Sequence, residues 1–162
     1  MNAPAWTDTP VAASRTEPGV GLEQNTDIVV ATRYEIDKLA ALCALLTEQP
    51  AVFPAAVGQA VRPLALGILE ALKPLLRAEA GIEQLRAALR VYTLSLAYLL
   101  AQSRPGAWRH DLAGVPVAPV SEEHRSSARQ RFIAARAHRD RVRKERRAGA
   151  AVTSARTIGS KA

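Results

Sequence analysis

Apolar positions recur along this chain at helical spacing in its first hundred residues and alternate like a strand only briefly after them. From Thr32, the stretch TRYEIDKLAALCALLTEQ puts Ile36, Leu39, Ala40, Cys43 and Leu46 on one face, which predicts an amphipathic helix of about four turns. PAVFPAAVGQAVRP follows with three prolines and a glycine, and reads as a loop whose Val52, Phe53 and Val57 tuck into the core. In RPLALGILEALKPLLRA, Gly67 weakens a helix and Pro74 removes a backbone donor. LALGI is therefore expected to be extended or irregular, ILEAL helical, with a turn or restart after Pro74.

The next helix is predicted from near Gly81 to about Tyr92. Within LRAALRVYTLSLAYL, residues Leu85, Ala88, Leu89, Tyr92, Leu96 and Leu99 form an apolar stripe, while Arg86 and Arg90 sit four apart on a different face. Thr93 and Ser95 have low helix propensity, and Ser95 can cap a second short helix through Tyr98. An ordinary buried helix gains nothing from two neighbouring like charges; each arginine alone reads as a solvated surface charge, and together they raise the question of a ligand.

The pattern then changes. WRHDL and VPVAPV flank Ala113-Gly114, with glycine where a turn needs a positive φ, which predicts a β-hairpin whose proline-bearing strand lies at an edge. Ser121 reads as an N-cap with Glu122 and Glu123 in the first turn, where carboxylates suit the helix dipole. The helix after it has few apolar residues beyond Phe132, Ile133 and Val142, so its inner turns can dock and its outer turns cannot bury much. AGAAVTSARTIGSKA at the end and the Pro-, Gly- and Thr-bearing residues 1–30 lack any sustained period and are expected to be disordered. The organisation expected is a disordered segment (1–30), a folded domain (31–135) and a basic extension (136–162).

Composition sharpens this picture in three ways. Aromatics make up only 4% of 162 residues, which favours a mainly helical fold with its small hairpin over a sandwich or barrel. The single cysteine, Cys43, excludes an internal disulfide framework and a cysteine-based zinc site. The net charge of +7 is unevenly placed: residues 1–120 hold ten Lys/Arg against eleven Asp/Glu, and residues 121–162 hold twelve against four. A segregated basic segment suits a polyanion such as nucleic acid or an anionic membrane surface, and equally a solvated, partly disordered tail. MNAPAWTDTP lacks the basic start and apolar core of a secretion signal, and no stretch approaches the roughly eighteen apolar residues of a membrane span. The chain is therefore expected to be cytoplasmic, with no membrane partner.

No glycine-rich phosphate loop, nucleophile elbow or HExxH pattern is present, and Asp111 is the only acid between Glu83 and Glu122. His110, His124 and His138 fall on a hairpin, a helix start and an exposed basic helix, which is no metal-site pattern. The reading is a protein that is not an enzyme and needs no cofactor, metal or small-molecule substrate. Arginine matches phosphate with a bidentate fork and tyrosine can stack on a base, so nucleic-acid binding fits better.

The order of FPAAV, RPLALGILEAL, LRAALRVYTLSLAYL, RPGAWRHDLAGVPVAPVSEEH and ARQRF resembles the ProQ/FinO family of bacterial RNA chaperones, from about Phe53 to Arg131. The resemblance implies a compact, mostly helical FinO-like domain that binds structured RNA, notably the base of a terminator hairpin and its 3′ single-stranded tail. It implies protection of small regulatory RNAs and promotion of RNA–RNA pairing, by a protein expected to be a monomer. The positions it marks for RNA are Arg62, Arg86, Arg90, Tyr92, Thr93, Tyr98 and Arg109. Arg86 and Arg90 match the basic helix face, Tyr98 the tyrosine near the RNA 3′ end, and Arg109 the arginine entering the hairpin. This chain departs from the family pattern at Ala65, at Gly81-Ile82 and at Ala97, where basic residues are usual, and in the turn DLAGVP. Three phosphate contacts are thus absent, which leaves open a second reading, a protein-interaction adaptor that keeps the fold with weakened RNA affinity.

Overall fold

The computed structural model describes the backbone of residues 28–158 and the side chains of residues 28–150. Helix α1 spans Arg33–Cys43 and begins at Thr32, whose amide and hydroxyl both donate to the Glu35 carboxylate, the amide at 3.0 Å. This reciprocal closure satisfies donors that a helix start leaves unpaired. The helix is one turn shorter than its apolar pattern predicts. After Cys43 the chain turns, and Leu46 enters an antiparallel bridge with Leu76, with the Thr47 amide donating to the Leu75 carbonyl at 2.8 Å. Leu39, Leu42 and Leu46 are buried, whereas Ala40 of the predicted face is exposed.

In the following loop Val52 and Phe53 are core residues, but Val57 is 59% exposed. It lies at the tip of a turn closed by Gly58, whose φ of +89° carries the chain back along residues 29–31. Those residues pair with it through Val30 and Ala60. Of the segment expected to be disordered, residues 28–30 thus run against this loop, and residues 1–27 lie outside the described residues. Helix α2, Ile68–Leu72, is the predicted ILEAL, entered through Gly67 at φ +77°. Pro74 sits in a single 3₁₀ turn, Lys73–Leu75, because its ring and missing N–H prevent the α-helix from continuing.

Helix α3, Ile82–Thr93, buries Leu85, Leu89 and Tyr92 against α1. Gln84 reaches back to the Gly81 amide at 3.1 Å, closing an N-terminus with no capping side chain of its own. Helix α4, Leu96–Ser103, is capped by Ser95, whose Oγ accepts from the Tyr98 amide at 3.3 Å, and runs past Tyr98 to Ser103. Strands β1 (Trp108–His110) and β2 (Pro116–Pro119) pair antiparallel, with a register shift between Arg109 and His110. The segment at Leu64 lies on the other side of β1 in a parallel bridge to His110. Helix α5, Glu122–Ile158, starts at Ser121 as predicted, packs on α4 through its inner turns, and continues as helix through residues expected to be disordered. Ala128 is buried and Phe132 and Ala135 are half-buried, whereas beyond Ala135 the side chains described are exposed apart from a half-buried Val142.

Candidate nucleic-acid interface

The seven residues singled out from sequence separate into an outer stripe, a cleft and an interior. Arg86, Arg90 and Thr93 follow one another at helical spacing along α3 and form the stripe. Arg86 makes an exposed ion pair with Glu83 at 3.3 Å, and Arg90 has no acceptor for its side chain among the described residues. An exposed i,i+3 ion pair contributes little, so Arg86 gives up almost nothing by turning to another anion.

The stripe ends at a cleft of 380 Å³ between the α3–α4 connection and the first turns of α5. Thr93 and Tyr98 line it together with Gln102, His124, Ser127 and Arg131. Sequence reasoning had placed the last three only in a basic helix. The available signal was the Ser121 cap, which fixes His124 at the third helical position. Tyr98 is 4% exposed and its hydroxyl oxygen accepts from the buried Leu64 amide at 2.9 Å. The phenolic proton itself has no acceptor among the described residues. Burial raises the Tyr98 hydroxyl above its ordinary pKa, against the opposing effects of the Leu64 amide and the Arg109 charge, and the group stays a neutral donor.

Arg109 lies behind this wall. It is 7% exposed, donating from Nη1 to the Leu64 carbonyl at 2.9 Å and from Nη2 to His124 Nδ1 at 3.2 Å. A guanidinium can only donate, so Nδ1 is the acceptor and the His124 ring proton resides on Nε2. Ser121 Oγ is 2.8 Å from the same nitrogen. One residue, Leu64, is thus held at both of its backbone groups, by Tyr98 at its N–H and by Arg109 at its C=O, in the two peptide units that flank its Cα. Arg109 positions the cleft and does not line it.

Two marked residues lie elsewhere. Tyr92 is fully buried, stacked edge-on between Phe53 (centroids 5.7 Å apart) and Tyr98 (5.3 Å), and its hydroxyl has no hydrogen-bond partner among the described residues. Burial, followed by the nearby Tyr98, Glu35 and Cys43, pushes its pKa far upward. It is a core residue that no ligand on this surface can touch. Arg62 is half-buried beside the hairpin turn, its Nη1 3.5 Å from the Ala51 carbonyl and 3.0 Å from the point where a Cβ on Gly114 would fall. Glycine is favoured there by φ +80°, a backbone conformation that side chains strain.

Among the described residues, no group of His, Cys, Asp and Glu could hold a metal ion, and no helix is long and apolar enough to cross a membrane.

Residues 37–147 match the model of the ProQ/FINO family. A ProQ homolog from Legionella pneumophila, known from an NMR solution structure, is 30% identical, covering 63% of this chain and 84% of its own, with a TM-score of 0.45. A FinO-like RNA chaperone from Neisseria meningitidis is 21% identical, covering 68% of this chain and 85% of its own, with a TM-score of 0.48.

Proposed function

Because the chain belongs to the ProQ/FinO family, we propose that it is a cytoplasmic RNA-binding chaperone, recognising a terminator-type hairpin with a 3′ single-stranded tail. It stabilises small regulatory RNAs and promotes their pairing with complementary RNA. The observation that carries this reading is the continuous path from the arginines of α3 into the cleft. Arg86 and Arg90 offer guanidinium forks to successive phosphates, and Thr93 leads to a recess bounded by the Tyr98 proton, His124 Nε2–H and Arg131. Every one of these groups donates, which suits phosphate oxygens and is indifferent to base sequence.

Electrophoretic mobility shifts with a hairpin bearing a 3′ uridine tail test this at several salt concentrations. The Arg86→Ala, Arg90→Ala double variant is expected to bind more weakly, with the log–log salt slope reduced by roughly one for each arginine. Its melting temperature should stay within the range of exposed substitutions, about 0.5 kcal/mol of stability. Unchanged affinity would remove this face from the RNA.

We further propose that residues 31–135 form the recognising domain and residues 136–162 a non-selective basic extension. The docking of α5 through Ala135 and the exposure of its later turns support that division. Truncation after Ala135 removes nine Lys/Arg and two acids. It is expected to lower affinity for any RNA and to retain the preference for hairpins over unstructured RNA. Loss of the preference with affinity intact would refute the division.

A further inference from the structure

Beside the hairpin runs a second groove, of 420 Å³, lined by Trp108, Arg62, Arg104, His110, Pro105 and Val61 among others. None of Arg86, Arg90, Thr93 and Tyr98 lines it. We propose that this groove seats one unpaired base of the bound RNA on the Trp108 ring, with Arg62 and Arg104 holding the adjoining phosphates. The inference rests on the RNA reading above and adds to it a second, separate contact for single-stranded RNA.

Strand alternation sets the arrangement. Arg109 points inward, so its neighbour Trp108 points outward and is 49% exposed, an unusual position for the largest apolar side chain unless it has a partner. The groove contains no carboxylate, so both guanidiniums lack an internal counter-ion there. Arg104 Nε is buried without an acceptor among the described residues, so the side chain is held by no internal polar contact there. Arg62 makes only the long contact to Ala51. His110 Nδ1 lies 3.4 Å from the Pro63 carbonyl, which can only accept, so the ring's Nε2 is left as an acceptor. Burial, more than the nearby Arg62 charge, lowers the His110 pKa and keeps the ring neutral. An aromatic face, two guanidiniums with no carboxylate beside them in the groove and one neutral acceptor match the combination with which proteins hold unpaired nucleotides, stacking from every base and charge from every phosphate. The volume falls within the roughly 300–1,000 Å³ of small-ligand sites. A partner helix or strand of ordinary apolar character would bury these guanidiniums without pairing them, which disfavours a protein occupant.

The chain has two tryptophans, Trp6 and Trp108, so Trp6→Phe makes Trp108 the sole indole reporter. Titrating this variant with a hairpin carrying a single-stranded extension should quench its fluorescence, and a blunt hairpin should not. In the otherwise native chain, Trp108→Ala should weaken binding of the extended hairpin roughly 5- to 150-fold, the effect of removing one stacking platform, with little change on the blunt one. Trp108→Phe should restore most of the loss. If Trp108→Ala binds the extended hairpin normally while the Arg86/Arg90 double variant does not, the base seat is overturned and the RNA reading stands. If the native chain binds neither hairpin, both fall. Equal losses on both hairpins with a lowered melting temperature would assign Trp108 a structural role and overturn the proposal. Should Trp108→Ala not fold, absence of quenching in Trp6→Phe overturns it alone.

Discussion

Arg109 and Arg90 lie in neighbouring parts of the same fold, yet one guanidinium is buried between the Leu64 carbonyl and His124 Nδ1 and the other stands in solvent with no acceptor. Both carry the same charge and the same fork of donors. What separates them is the supply of backbone and ring acceptors within reach. At the hairpin, the segment around Leu64 runs alongside β1 and brings an unpaired carbonyl to the strand that carries Arg109. On the outer face of α3 the carbonyls are already used within the helix, so an arginine there can satisfy its donors only from outside. Burial turns one arginine into a tie within the fold, and exposure leaves the other with its donors open to solvent, as the proposed RNA face requires.

The sharpest way to break this contrast is Arg109→Ala. It strips a charge-assisted bond from a buried carbonyl and should cost roughly 2–3 kcal/mol, or a melting temperature lower by on the order of 10 °C for a domain of this size. Arg109→Lys should recover little of this, because one ammonium cannot replace a fork aimed at two acceptors. A variant that melts normally and loses only RNA affinity would place Arg109 among the external ligands and collapse the distinction.

A smaller effect sharpens it from the side of the tyrosines. Tyr98→Phe leaves the buried Leu64 amide without its acceptor and should cost about 1–3 kcal/mol in urea unfolding. Tyr92→Phe removes a hydroxyl that already lacks a partner among the described residues, so it should cost nothing and stabilise the fold by up to about 1 kcal/mol. The reverse order would show that the backbone of Leu64 is not held as described.

How much of this was legible in the sequence follows from how far apart the cooperating residues are. The cap at Ser95, the cap at Ser121, the helix ILEAL, the extent of α3 and the glycine turn of the hairpin are all set by residues within one turn of each other, and each was readable. The end of α1 was not. The apolar pattern runs on through Leu45 and Leu46, but the backbone there pairs with residues 75–77, thirty positions away. Val57 reads as core from its neighbours and is exposed because Gly58 throws the tip of the turn outward. The site divides in the same way. The stripe of Arg86, Arg90 and Thr93 is a property of one helix and can be read from spacing alone. The burial of Tyr92 is legible in the same way, since it falls in the apolar stripe of α3, whereas the burial of Arg109 depends on a carbonyl 45 residues away, a distance with no signature in the chain. Arg131 and His124 were visible as types and not as members of a cleft, because only the packing of α5 on α4 brings them to Tyr98.

Helix α5 has a consequence for speed. At about 1.5 Å per residue its 37 residues extend roughly 55 Å, and well over a third of that length follows Ala135, where the helix ceases to dock. At about 100° per residue, Arg136, Arg139, Arg141, Arg143, Lys144, Arg146 and Arg147 fan over more than half of its circumference, leaving a strip of about 140° around Val142. A charged rod of this kind does not need a partner to arrive in one orientation. It widens the target that a diffusing polyanion can strike and lets the first encounter slide toward the folded part, so its contribution should fall mainly on the association rate and fade steeply with ionic strength. Residence time, by contrast, should follow the short-range contacts of the domain. On the proposed reading, capture and retention would fall to opposite ends of one continuous helix.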